Sequence, residues 1–158
     1  MKKKWVIRFL WLLVLAVAAI IFWFSSQNGE ESMNTSGGFV TFLLRLLVPG
    51  FDGKTYKEKK VIYSQLQYFV RKGAHFSEYA MLGASLRLLF HALNLRRPIL
   101  WAWITGALYA CTDELHQMFV DSRTAMWQDV GIDSAGVLAG ALLVTLWLWL
   151  HRRKRKRT

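Results

Sequence analysis

Four stretches of the chain are apolar over the length a helix needs to cross a bilayer. A helix rises about 1.5 Å per residue, so some 30 Å of hydrocarbon takes roughly 20 apolar residues. Residues 5–24 and 130–150 meet this plainly, the second broken by Asp133 near its start. Residues 76–95 and 99–119 are weaker. They are separated by Asn94-Leu95-Arg96-Arg97-Pro98, whose proline disfavours helix in the residue before it. The pattern predicts four spans, with the middle two joined as a tight helical hairpin. The first follows Lys2-Lys3-Lys4, as a signal peptide would. It ends in Phe22-Trp23-Phe24 without a small-x-small cleavage pattern, so it is expected to remain as a helix.

The segment between the first two spans, residues 25–71, is too long for a simple turn. Phe39, Phe42, Leu43, Leu46 and Leu47 recur at helical spacing, as do Ile62, Leu66 and Phe69. Gly37-Gly38 and Pro49-Gly50 bracket the first set, and Asp52-Gly53 marks a turn before the second. One or two amphipathic helices lying on the outer interface are expected here.

Composition changes the picture in one respect. The chain of 158 residues carries 21 Lys and Arg against 10 Asp and Glu, with 54% hydrophobic residues. Such a basic balance ordinarily suggests nucleic acid, but eight Trp and long uncharged runs point to a membrane protein with basic edges. Cys111 is the only cysteine, which excludes a disulfide scaffold, and its apolar neighbours predict a buried packing residue. With the N-terminus inside, the cytoplasmic flanks hold Lys2–Lys4, Arg8, Arg96, Arg97 and the tail Arg152–Arg157, and no acidic residue. Arg87 lies near the same side and is expected to snorkel towards it. The expected architecture is therefore all-α: an integral membrane four-helix bundle forming a single domain over residues 1–158. Both termini are cytoplasmic, and the basic tail 151–158 serves as an anchor to anionic lipid.

Ionisable residues inside a bilayer are costly, and those that occur mark functional candidates. Here they fall at one level. Lys72, His75, Glu78 and Tyr79 share a broad face of the second span. Asp113 and Gln117 are i and i+4 in the third, flanked by Glu114 and His116. Asp129 and Asp133 are i and i+4 in the fourth and continue into Gly136 and Gly140, a G-x-x-x-G that permits close helix approach. Arg123 lies in the turn between the third and fourth spans. In this topology all three sets converge at the outer leaflet.

Three readings of the cluster stand. It binds the polar end of an amphiphile whose tail stays in the membrane; it performs membrane-embedded hydrolysis or transfer, with Glu78 or Asp113 as base and His75 or His116 as proton donor; or its charges only fix the register of the bundle. The first is preferred. No G-x-S-x-G, P-loop, dinucleotide fingerprint or H-E-x-x-H is present, so no cofactor or metal is expected, although His75, Glu78, Asp113 and His116 are ligand types. Membrane lipid is the expected partner, and nucleic acid is not.

The ordered set Lys72-x-x-His75-Phe76-x-x-Tyr79-x-x-Leu82-Gly83, Asp113-Glu114-x-x-Gln117-x-Phe119-x-x-x-Arg123 and Asp129-x-x-x-Asp133-x-x-Gly136-x-x-x-Gly140 resembles the VanZ-like family of bacterial membrane proteins. Phe24-Ser25-Ser26-Gln27 is similar to that family's early signature, and Asp133 stands where the family commonly has Asn. The resemblance implies a multipass protein of the bacterial cytoplasmic (inner) membrane. The family's named member is linked to resistance to teicoplanin, a lipoglycopeptide-type antibiotic. The resemblance carries over Lys72, His75, Tyr79, Asp113, Glu114, Gln117, Arg123, Asp129 and Gly136 as a functional set. Glu78 and His116 rest on their placement alone.

Overall fold

A computed structural model describes residues 2–121 and 126–155. Five α-helices follow one another: α1 (Lys2–Ser25), α2 (Gly29–Leu47), α3 (Tyr56–Ala92), α4 (Pro98–Gln117) and α5 (Trp127–Arg155). Among the described residues there is no strand. Among the described residues two helices are long and apolar enough to cross a membrane, over Lys3–Ser25 and Trp127–Lys154.

The hairpin between α3 and α4 forms as its sequence dictates. Asn94 and Arg97 both take left-handed backbone with φ of 58°. Pro98 then opens α4 at its first turn, where the missing N–H costs nothing.

The outer segment differs from expectation. α2 starts at Gly29, eight residues before Gly37, and runs through both glycines. A capping box starts it there: Asn28 Oδ1 accepts from the Glu31 N–H at 2.9 Å, and the Glu31 carboxylate accepts from the Asn28 N–H at 3.0 Å. The second expected interfacial helix does not exist as a separate element. It is the first half of α3, a single helix of 37 residues, about 55 Å long at the usual rise. Thr55 and Glu58 cap it in the same reciprocal way, and the Thr55 hydroxyl and N–H hold the Glu58 carboxyl below its ordinary value.

α2 packs on the protein along one side only. Val40 and Leu44 are sealed against neighbours, whereas Phe39, Phe42, Leu46 and Leu47 stay exposed. Val40 and Leu44, one turn apart, enter the contact with α3, and the bulkier apolar side chains face outward.

The core is narrow. α1 contributes a stripe of Leu10, Val14, Ile21 and Ser25, and the Tyr109 hydroxyl of α4 donates to the Ala18 carbonyl at 2.7 Å. α4 turns Ala102, Gly106, Ala110 and Asp113 inward. Cys111, one step around from that stripe, is exposed rather than buried. Arg87 does not snorkel. It is 6% exposed, and its Nε donates to Thr145 Oγ1 of α5 at 2.9 Å.

The most extensive contact joins α3 to α5. Gly136 and Gly140 lie against the backbone carbonyls of Phe76 and Ala80, and Gly83 of α3 lies against Val137. A Cβ at any of these three glycines would collide with backbone rather than with a movable side chain. The sequence motif is thus a two-sided zipper, with Gly83 as the tooth on the partner helix.

Substituting Gly140→Leu should force the helices apart and cost about 3 kcal/mol or more, as overpacking against immobile atoms does. Loss of monodisperse protein on size exclusion, or a fall in thermal midpoint, reads this out. Gly131→Ala, with open space at its Cβ, should leave both measurements unchanged or slightly improved.

Candidate functional site

The zipper fixes which polar residues face one another. Two turns before Ala80, Lys72 of α3 meets Asp129 of α5 in an ion pair, both side chains largely shielded from solvent. Lys72 Nζ also lies 5.3 Å from the centre of the Tyr68 ring. Below this pair, His75 of α3, Asp113 of α4 and Asp133 of α5 come together, with one ligand-capable atom from each within 4.8 Å of the others. Three helices each supply one member.

The cluster is deeply placed. Asp133 is 1% exposed and Asp113 3%. Among the described residues neither oxygen of Asp133 has a hydrogen-bond partner, nor has Oδ1 of Asp113. Asp113 Oδ2 accepts from the Gln117 side-chain amide at 3.3 Å, and the same amide donates to Ser25 Oγ at 2.8 Å. Gln117 thereby ties the end of α1 to α4. Tyr79 is fully buried beside Tyr109, their ring centres 6.2 Å apart.

The other sequence candidates take different positions. Glu114 is buried and accepts from the Met126 N–H at 3.1 Å, so it holds the entry to α5. His116 points away from the cluster: its ring stacks on Phe22 and its Nε2 lies 3.2 Å from Ser26 Oγ. Glu78 lines a separate cavity of about 170 Å³ with Arg71, Gln27, Thr35 and Phe24, between α1, α2 and α3. Arg123 lies outside the described residues.

Ser25, part of the Phe24-Ser25-Ser26-Gln27 signature, enters because α1 ends level with Gln117. Two other contributors have no sequence signal of comparable strength. Arg71 and Gln67 matter because α2 folds onto α3: Gln67 Nε2 donates to Ser36 Oγ at 2.6 Å. A larger crevice of about 370 Å³, lined by Ser32, Ser64, Gln67, Tyr68 and Arg71, opens beside it. Gln67 and Arg71, one turn apart, are legible only once α3 is known to be continuous.

The charge inventory is lopsided. Lys72 is committed to Asp129, leaving Asp113, Asp133 and Glu114 on one level with no second described cation paired to them. Removing Lys72 should therefore be worse than removing the pair. Lys72→Met should lower stability by about 3 kcal/mol, and adding Asp129→Leu should recover a substantial part of that loss. A thermal-denaturation double-mutant cycle in detergent measures it; additive losses would mean that the two side chains do not act on each other.

Neither the curated proteins nor the solved structures hold a match to this chain. The family model described as VanZ/LLP1 matches residues 9–148, a range that takes in α1 through most of α5 and every residue of the cluster. The polar residues of three helices, met at one level and held there by a glycine zipper, are thus a feature of a chain that belongs to the VanZ/LLP1 family.

Proposed function

We propose that the chain is a four-span protein of the bacterial cytoplasmic membrane, with both termini inside, and that its cluster recognises the polar head of a lipid-linked or amphiphilic envelope molecule. α4 falls short of a span by overall composition because of Asp113, Glu114 and Gln117, which turn inward, and α3 because its first half carries exposed Lys57, Glu58 and Lys60. On α4, Asp113, Glu114 and Gln117 are buried, while Trp101, Trp103, Leu108 and Leu115 face outward. An inward polar stripe with an apolar exterior is what a spanning helix beside a polar site needs. The basic tail and Arg96-Arg97 mark the cytoplasmic side.

The observation that carries the binding reading is the cavity behind Glu78. It joins Arg71, Gln27, Thr35 and Ser36 on one side to Phe24 and Val70 on the other, under the cover of α2. A guanidinium, amide and hydroxyls beside apolar walls suit a head group whose tail lies along the outward apolar faces of α2 and α3. His75, Asp113 and Asp133 do not line this cavity; they form a second polar group contributed by α3, α4 and α5. One hydroxyl lies beside a base: Ser26 Oγ is 3.2 Å from His116 Nε2, but it donates to the Phe22 carbonyl at 2.7 Å, and Ser77 donates to the Gly73 carbonyl.

The readings separate in one experiment. Purified protein incubated with envelope lipid extract should retain a lipid saturably, identifiable by mass spectrometry, and Arg71→Gln should reduce retention about tenfold. Turnover to a new product that Asp113→Asn abolishes would replace binding with catalysis. Equal retention by Arg71→Gln and Asp113→Asn would leave the cluster a scaffold only, and teicoplanin susceptibility of expressing cells should then be indifferent to both. For the topology, a cysteine placed by Lys57→Cys in a Cys111→Ala background should react with an impermeant maleimide in intact cells, and Lys156→Cys only after permeabilisation. The reverse pattern overturns the orientation.

A further inference from the structure

We infer that His75, Asp113 and Asp133 form a binding site for one divalent transition-metal cation, such as Zn²⁺ or Mn²⁺. Three observations converge. The three side chains come from three different helices, and their ligand-capable atoms already lie within 4.8 Å of one another. Ligands around one such ion sit at about 2.0–2.2 Å from it, hence roughly 3–4 Å apart, so modest rotamer adjustment closes the site. The second observation is that both oxygens of Asp133, at 1% exposure, have no hydrogen-bond partner among the described residues, and Asp113 Oδ1 has none either. Buried carboxylate oxygens without donors are expensive, and a cation satisfies all of them at once. The third is charge. The nearest described ammonium group, Lys72, is already held by Asp129. Two aspartates so close in a region of low dielectric repel each other unless a positive charge lies between them.

The donor set selects the ion. One imidazole nitrogen with two carboxylates is too nitrogen-rich for Ca²⁺ or Mg²⁺, which favour all-oxygen shells, and lacks the thiolates of a closed structural zinc site. Three protein ligands leave coordination positions open. Gln117, donating to Asp113 Oδ2, supplies the outer hydrogen bond that orients a ligating carboxylate.

The cation changes what the cluster attracts. Without it, the residues around Asp113 carry an excess of negative charge and repel an anionic head group. With it, an open coordination position accepts a phosphate or carboxylate oxygen. This second half rests on the head-group reading above; the cation site itself does not.

The full-length protein, free of any histidine tag, is purified in detergent, stripped with EDTA and titrated with ZnCl₂ and MnCl₂. Wild-type protein should bind one ion per chain and gain thermal stability that EDTA reverses. His75→Ala and Asp133→Asn should each weaken binding at least tenfold, while Glu30→Gln, on the exposed start of α2, should not. For Mn²⁺, pulsed electron-spin-echo spectra of the wild type should show a single imidazole nitrogen coupled to the metal. That last reading does not depend on any variant folding. Absence of saturable binding, spectra without a nitrogen coupling, or undiminished affinity in Asp133→Asn overturns the cation site and favours a proton shared between the two aspartates. Adding phosphatidylglycerol vesicles to the Mn²⁺ form then tests the second half. Broadening of the lipid ³¹P signal beyond that given by Asp133→Asn supports bridging, whereas intact metal binding without broadening overturns head-group contact and leaves the cation site standing.

Discussion

The backbone contact between α3 and α5 is the constraint on which everything else hangs. In lipid there is no hydrophobic drive to bring two helices together, so association depends on close packing. Gly83, Gly136 and Gly140 provide it by letting each helix rest on the other's carbonyls. Val137, wholly buried at the centre, is wedged between Gly83 of α3 and Gly106 of α4 and so carries the same register to the fourth helix. Once Ala80 is opposite Gly140 and Phe76 opposite Gly136, Lys72 has no option but to face Asp129. A slip of one residue would rotate the carboxylates off the shared face. The polar cluster is therefore a result of packing between small residues, and its own charges need not hold the bundle together.

That division of labour explains how buried carboxylates are tolerated. Asp113 and Asp133 are held where they are by helices anchored elsewhere, so local electrostatic cost is met by the stability of the zipper. The same arrangement appears at the opposite end in a milder form: Arg87 is tucked against Thr145, and Arg152 lies 3.3 Å from His91. Each end of the α3–α5 pair thus carries an uncommon polar contact, one dominated by acids and one by bases, with a glycine-lined apolar waist between them.

Much of this was legible in the residues. The apolar runs located α1, α4 and α5, Pro98 located the hairpin, and helical spacing grouped Lys72 with His75 and Asp129 with Asp133. What failed did so for physical reasons. Gly37-Gly38 reads as a break, yet α2 runs through it, whereas Pro49-Gly50 and Asp52-Gly53 do mark the turn before α3; Asn28-x-x-Glu31 and Thr55-x-x-Glu58 are capping boxes in the sequence and decide where α2 and α3 begin. A reciprocal cap specifies a helix start, whereas glycine only weakens a helix interior. His116 and Glu78 had the right chemistry at the right height, but helical spacing alone does not resolve the hundred degrees or so per residue that turn one into the cluster and its neighbour away from it.

The unbroken run of α3 has a mechanical consequence. Since the first half of the helix and the half that carries His75 belong to one helix, Tyr56–Ala92, the arm before His75 is a lever whose fulcrum is the glycine contact near Ala80. Any body that leans on the arm, or on α2 strapped to it through Gln67 and Ser36, displaces Lys72 and His75 together relative to Asp129, Asp113 and Asp133. The geometry of the buried cluster is in this way mechanically coupled to an exposed surface some five turns away.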